Sequence, residues 1–498
     1  MSEEWCRQQL MNLQIKDRRL DTLTEIRNRL TNLPADEVVS VSSNFLTLPE
    51  LFDCVEGNQQ SNEQSNLACD ILSLCMSNLD LADTTKNYDY IERSLEHNND
   101  SVKVLGMNEI DRISKQFPNQ QFSQNVIIAV MKCLENPQER VGILAVKILP
   151  TILPKILTDS SVHINVNQLL AGSDLIRCRV YDVSVAIAKL NQSYLESLAY
   201  VIDRLCTDLD TTDVLLELNI LEFLSDLAQT DHGWLYLENK GIVKKIAEKL
   251  DGLEANPLRN ILFPGYMKFF GNIALKQPTK IIQGFPVFIN ASMDLLCECM
   301  VSDADGTSLP VIFDTLAQLG SSDQGKILLE DQYSVKVAKT LNDIGKSIHN
   351  LPTRLQIRAL NCLEILFQCD SQNNRVNSIT CKWFSSLTGP DGMVFLLNFC
   401  RNPFPDIKLA ALTLLKVVVT PSWGQKALHA TAGFVEFLMD RNIEFNKDAV
   451  HEKYRVIEML SQSVTIFDPV TLGQLKKYVQ QGAFYVEGVM DVVTEGGS

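Results

Sequence analysis

Positive charge is scarce in this chain, glycine and proline are sparse, and no hydrophobic run is long. The 498 residues hold 45 Lys+Arg against 61 Asp+Glu, a formal charge of −16 with a pI near 4.9. Such a surface repels phosphate backbones and anionic lipid, which excludes nucleic acid and membrane surfaces as general partners and leaves basic or mixed-charge proteins. Glycine (23) and proline (17) make up about 8% of the chain, against roughly 12% in average usage, which speaks against collagen-like, low-complexity or turn-dense β architectures. The most apolar stretch, Leu409 to Val419, is interrupted by Lys416 and is too short for a bilayer. The opening Met1-Ser-Glu-Glu-Trp-Cys-Arg7 lacks the basic-then-apolar order of a secretory signal. There is no C-x-x-C; the 13 cysteines are an odd number scattered singly, and Cys297 and Cys299 have no histidine nearby to complete a zinc set. Free thiols in a reducing compartment are expected, which places the chain in the cytoplasm or the nucleus.

What is present is helical period. The chain is 45% apolar, enough for a large core, yet its length exceeds the roughly 250–300 residues at which a single core stops growing. Either it divides into domains or it lengthens by stacking repeats. Apolar residues recur at steps of three and four: Ile176, Val180, Val183, Ile187 and Leu190; Val214, Leu218, Leu221, Leu224 and Ala228; Ile407, Ala411, Leu414 and Val418. Turns with Asp, Asn or Pro separate the stripes, and long helices are expected to open near residues 101, 138, 174, 213, 257, 306, 353, 406 and 449. Those spacings suit armadillo and HEAT repeats. A finer signature favours the three-helix armadillo form: Gly233 to Gly241 and Gly424 to Gly433 each read as a short helix closed by glycine before a second helix, and Gly325-Lys-Ile-Leu-Leu329 is a partial copy without the closing glycine. The expected fold is all-α, an armadillo/HEAT-type superhelical solenoid of roughly ten repeats running as one body over 1–486. Residues 1–35 would form a capping helix, the polar run Gly57 to Asn66 a flexible loop, and 487–498 a disordered acidic tail.

Motifs that could carry chemistry fail on inspection. Gly320-Ser-Ser-Asp-Gln-Gly325-Lys326 matches G-x-x-x-x-G-K, but Ile327 stands where Ser or Thr must hold magnesium, and a helix rather than a strand precedes it. It aligns instead with the short-helix signature. His451-Glu-Lys-Tyr-Arg455 puts Arg where a zincin needs its second imidazole. Asp303-Ala-Asp305-Gly306 resembles part of a calcium loop but has Val301 at the opening position and Ile312 in place of the bidentate Glu. Gly320-Ser-Ser322 lacks the second glycine of a nucleophile elbow, Gln324 standing there. No catalytic constellation, metal site or cofactor is expected, and the chain reads as a non-enzyme.

A surface remains. Phe269-Phe-Gly-Asn272-Ile-Ala274 has the Asn-before-Leu-Ala form that marks the concave helix of armadillo units, and Cys75-Met-Ser-Asn78-Leu79 resembles it. The same register along the repeats gives Asn78, Arg112, Lys147, Ala186, Asp226, Asn272, Gln318, Glu364, Lys416 and Glu458, each between core positions and nearly all polar. The middle run Asp226, Asn272, Gln318 and Glu364 is the candidate partner-binding ridge, suited to a helix bearing Lys/Arg or to free backbone groups; the plainer account is solvated positions on amphipathic helices.

Leu262-Phe-Pro-Gly-Tyr-Met-Lys-Phe-Phe-Gly-Asn-Ile-Ala274, Trp383-Phe-Ser-Ser-Leu387, Pro403-Phe-Pro405, Gly433-Phe-Val-Glu-Phe437 with Asp440-Arg441, and Phe484-Tyr-Val486 resemble the 26S proteasome non-ATPase regulatory subunit 5 family. The resemblance is strongest after residue 260 and weak before residue 100. It implies an armadillo/HEAT chaperone for assembly of the proteasome regulatory particle. The family's curved surface clasps the C-terminal domain of one proteasomal AAA-ATPase, in a module with a second ATPase and a large non-ATPase scaffold of the base. The chaperone blocks docking sterically and is then released. The alternative is a general armadillo adaptor for transport or trafficking, which would use repeated Trp and Asn on the inner helices; the four Trp (5, 234, 383, 423) fall off the ridge register.

Overall fold

The computed structural model describes residues 3–34, 37–38, 49–56, 62–76, 88–301, 308–370, 372–441, 446–463 and 465–485. Among these the regular structure is helical throughout, with no strand. The chain falls into two compact units, Met1–Gly233 and Trp234–Ser498, where the sequence led us to expect one body. A solenoid allows this because each repeat buries its apolar face against its neighbours alone, so no core has to run the whole length.

Within each unit one row of helices stacks in chain order. In the first these are α1 (Arg19–Thr31), α2 (Asn62–Met76), α3 (Asp100–Gln116), α4 (Glu139–Ile152), α5 (Asp174–Ala188) and α6 (Val214–Ala228). In the second they are α7 (Arg259–Lys276), α8 (Leu309–Leu319), α9 (Thr353–Phe367), α10 (Pro405–Val418) and α11 (Lys447–Leu460). The nine starts expected from α3 onward fall within three residues of those observed. Capping side chains fix several: Asn99 accepts from Ser101 N at 2.9 Å, Asp213 from Leu215 N at 2.8 Å, and Asn446 from Asp448 N at 2.8 Å. A second row runs alongside, including Ile242–Asp251, Pro286–Val301, Asp323–Ser347 and Asn374–Thr388 in the second unit. This is an all-α solenoid of the armadillo/HEAT class.

Two local expectations are corrected. The N-terminal segment is not one helix: Glu3–Gln14 ends where Ile15 turns extended (φ −90°, ψ 108°), and a 3-10 turn leads into α1. Arg19 Nε donates to Leu13 O at 2.8 Å across that break, and the Arg29 guanidinium lies 4.4 Å over the Trp5 ring. The polar run is not all loop either, because α2 begins at Asn62; Ser65 and Leu67 turn inward there while Gln64 donates to Cys54 O at 3.2 Å. Residues 57–61, Asn78, the Asp303–Gly306 stretch and residues 487–498 lie outside the described residues.

The short-helix signature has a steric basis. A Cβ built on Gly233 would lie 2.1 Å from Leu227 O, on Gly325 2.2 Å from Leu319 O, and on Gly424 1.7 Å from Val418 O. In all three the carbonyl near the end of a stacked helix occupies the space of the missing methyl. The closing glycines Gly241 (φ 71°) and Gly433 (φ 77°) are left-handed, as a sharp helix-to-helix turn needs. The third copy has Tyr333 at that point, and the chain bends there without a left-handed residue, φ −129° and ψ 19°, inside Asp323–Ser347. Gly325→Ala and Gly424→Ala should each lower stability by about 1–3 kcal/mol through overpacking against backbone, while Gly284→Ala, which meets nothing within 4 Å, should be near neutral. Thermal and urea unfolding of the three variants checks this.

Candidate functional site

The G-x-x-x-x-G-K stretch opens helix Asp323–Ser347. Ser322 Oγ accepts from Gly325 N at 3.0 Å, and Lys326 points into the repeat, 1% exposed, its Nζ 3.5 Å from Ser321 O. Burial pulls the ammonium down to about 8, opposed by Asp323 and Cys369. A phosphate has no path to this lysine, and the glycine that would cradle it is filled by Leu319 O. His451-Glu-Lys-Tyr-Arg455 resolves as structure too: Glu452, nearly buried, accepts from Lys416 and, at 3.0 Å, from Arg455. Among the described residues no group of three His, Cys, Asp or Glu is placed to hold a metal ion. All 13 cysteines are free thiols; burial pushes the Cys69 thiol up to about 12, so it resists ionisation. No single described helix is long and apolar enough to cross a membrane.

The four candidate ridge residues are less exposed than a solvent-facing ridge would be. Asp226, Asn272, Gln318 and Glu364 are each half-buried, on α6, α7, α8 and α9, with a buried residue on one or both sides. Their partners differ, and sequence reasoning did not reach this. Asp226 Oδ2 accepts from Lys189 at 3.1 Å. Gln318 Nε2 donates to Asn272 Oδ1 at 3.0 Å across the α7–α8 stack, and Gly271 makes room, since a Cβ there would lie 2.1 Å from Gln318 Oε1. Glu364 is held above the usual carboxylate range by partial burial, with Lys416 opposing that rise and Glu452 adding to it. Asn272 and Gln318 are thus joined along the stack by one hydrogen bond, and Asp226 is shared between Lys189 and Gln229, whose Nε2 donates to Oδ1 at 3.4 Å.

The remaining rungs show how far charge is compensated. Asp111 accepts from Lys115 at 2.7 Å and from Lys147 at 2.9 Å, the latter joining α3 to α4, and Arg112 grips Glu109. In the second unit Asp314 of α8 holds Arg358 of α9 through both its oxygens, Nε at 3.0 Å. Two acidic residues one turn before the ridge register, Asp182 on α5 and Glu222 on α6, were missed by the sequence reading; the signal was available, since each sits four residues before Ala186 or Asp226. Grooves also lie among the described residues. One of about 440 Å³ lies among Asp251, Arg259, Phe263, Asn290, Asp294 and Glu298, and one of about 320 Å³ among Asn66, Asp70, Ser73, Ser101, Asn108 and Arg140.

Helices stacked in chain order with no strand among the described residues define the armadillo/HEAT solenoid class. Comparison with known proteins makes the family specific. The family model for the proteasome non-ATPase 26S subunit matches residues 2–498, so the chain belongs to that family. The 26S proteasome non-ATPase regulatory subunit 5 of Drosophila melanogaster is 30% identical over 99% of both chains, and that of Homo sapiens 27% over 96% of both. Among solved structures, importin beta superposes with a TM-score of 0.56 at 11% identity, covering 95% of this chain and 69% of its own, which shows the fold alone.

Lys326 supplies a test of the rejected nucleotide site. Its ammonium is depressed in the folded state and ordinary, near 10.5, in the unfolded one. The folded state therefore releases the proton first, the penalty is fully present below about pH 8, and stability rises as pH climbs from about 8 to 10.5. Lys326→Met should remove that slope and stabilise the protein at pH 7 by about 1–3 kcal/mol, read from urea unfolding across pH 7–10. Magnesium–nucleotide titration should give no saturable signal with either protein.

Proposed function

We propose that this chain is a non-catalytic assembly chaperone for the base of the proteasome regulatory particle. In this reading the stacked repeats receive the C-terminal domain of a proteasomal AAA-ATPase, within a module that also contains a large non-ATPase scaffold. The solenoid then prevents docking onto the proteolytic core by occupying the approach, and it leaves before the particle is complete. The observation that carries the reading is full-length similarity to proteins named as proteasome non-ATPase regulatory subunit 5, over 99% of both chains for the fly protein. The fold adds support: stacked repeats offer a long surface and flex by small changes at each interface. The half-exposed polar ridge adds more, because a contact that must be made and later broken is better built from polar, salt-sensitive groups than from an obligate apolar interface. Thirteen free thiols fit work in the cytoplasm, the nucleus or both.

Affinity isolation from cells at near-physiological salt, followed by identification of what travels with the protein, tests this. Free ATPase modules lacking the proteolytic core are expected. Intact 26S particles as the main companion would overturn the release step, and transport cargo without proteasomal subunits would overturn the reading. Disrupting the ridge should weaken capture while leaving the fold intact: Asp226→Lys with Glu364→Lys is expected to reduce recovered ATPase by about tenfold with a Tm within a few degrees of the parent.

A further inference from the structure

Charge is shared unequally between the two units. Met1–Gly233 carries 34 Asp+Glu against 19 Lys+Arg, whereas Trp234–Ser498 carries 27 against 26. The chain's excess of negative charge therefore belongs almost wholly to the first unit. Within that unit the excess is not neutralised evenly either. On α3 and α4 the carboxylates facing along the stack are matched, Asp111 by Lys115 and Lys147 and Glu109 by Arg112. On α5 and α6 Asp174 is paired with Arg177 and Asp226 with Lys189, whereas Asp182 and Glu222 are in no ion pair among the described residues. Asp182 and Glu222 stand exposed beside Asp226, and the cation among them is Lys189, already 3.1 Å from Asp226. Partial withdrawal from water, then the Asp226 and Glu222 carboxylates, hold Asp182 above its ordinary range.

The same two faces carry apolar side chains that no neighbour covers. Leu175, seven residues before Asp182, is 57% exposed, and Leu215, seven before Glu222, is 71% exposed. Seven residues is two helical turns, so each helix shows a leucine and then an acid along one stripe. Helices packed in contact lie about 8–10 Å apart, so the two stripes run side by side on the exposed face. A metal ion does not suit it, because these carboxylates are not gathered into a chelating group among the described residues. Nucleic acid is repelled. A helix with leucine-like side chains at one end of a face and Lys/Arg two turns on matches both stripes at once.

We infer that the α5–α6 face of the first unit, with Leu175 and Leu215 at one end and Asp182, Glu222 and Asp226 at the other, is a docking surface for a basic amphipathic helix of a partner protein. This deepens the function proposed above by giving the chemistry of the partner's contact segment, and it rests on that reading only for protein binding.

The test uses full-length protein and a designed helical peptide of about 20 residues, with Lys/Arg at i, i+4 and i+7 of one face and leucine in the preceding turns. Its counterpart with Gln at every basic position is the reference. Calorimetric titration should give one site for the basic peptide, weakening about tenfold between about 50 and 200 mM salt, and little binding of the Gln peptide. Asp182→Lys, Glu222→Lys and Asp226→Lys together should lose at least about tenfold in affinity at unchanged Tm. The same change of charge at exposed Glu135, Glu196 and Glu248 should lose less than about threefold. Absence of binding by the parent, equal loss in both triple variants, or no loss in the first overturns the inference. Peptide binding at this face without capture of proteasomal ATPase by the parent sinks the chaperone reading alone. Capture of ATPase that the first triple variant leaves unchanged sinks the docking surface alone.

Discussion

The fold turns on a contact between a carbonyl and a missing methyl. Where a stacked helix ends and the next short helix starts, the backbone returns so tightly that Leu227 O, Leu319 O and Val418 O sit inside the space a side chain would need at Gly233, Gly325 and Gly424. That closeness sets the direction in which the following helices leave, and therefore which of their faces meets the preceding repeat. A solenoid has no central core to correct such an error, because each repeat is held only by its neighbours. Burial of Trp234, Trp383, Phe270 and Phe367 depends on the turns being made correctly first.

Much of this was legible in the sequence. Helix starts were readable because two local signals coincide, the three-and-four apolar step and a capping or proline-bearing turn, and both act within a few residues. The N-terminal part was less so. The break at Ile15 has no glycine or proline to announce it and is fixed by contacts such as Arg19 to Leu13 O. The bend at Tyr333 is similar: the repeat needed a turn, lacked the glycine, and made it by distorting a tyrosine whose hydroxyl donates to Ile282 O at 3.3 Å.

The candidate site was readable as positions and not as chemistry. Register singled out Asp226, Asn272, Gln318 and Glu364 as an exposed ridge between core positions; in the structure they are half-buried on α6, α7, α8 and α9. What each can do for a partner depends on the rung beside it, some 36 to 46 residues away in the chain. Asn272 and Gln318 use their amides on each other, Asp314 is closed by Arg358, and Lys416 is taken by Glu452. Stacking decides which polar groups remain available, and no local pattern encodes it. The segment that most marks the family, Leu262 to Ala274, is mainly core: Tyr266, Met267, Phe269 and Phe270 are buried, and Phe270 packs against Phe285 and Phe288 with ring centroids 5.1 and 4.9 Å away.

The three tight glycines also divide the ways in which this protein can fail in a cell. A substitution at any of them leaves every ridge side chain intact and lowers the fraction of molecules that are folded, so quality control would remove much of the product while the survivors bound normally. On the docking proposal made above, alterations on the α5–α6 face would do the opposite, leaving abundance normal and clientele altered. Measuring steady-state level alongside function would therefore sort inherited variants of this chain into two groups before any complex was purified.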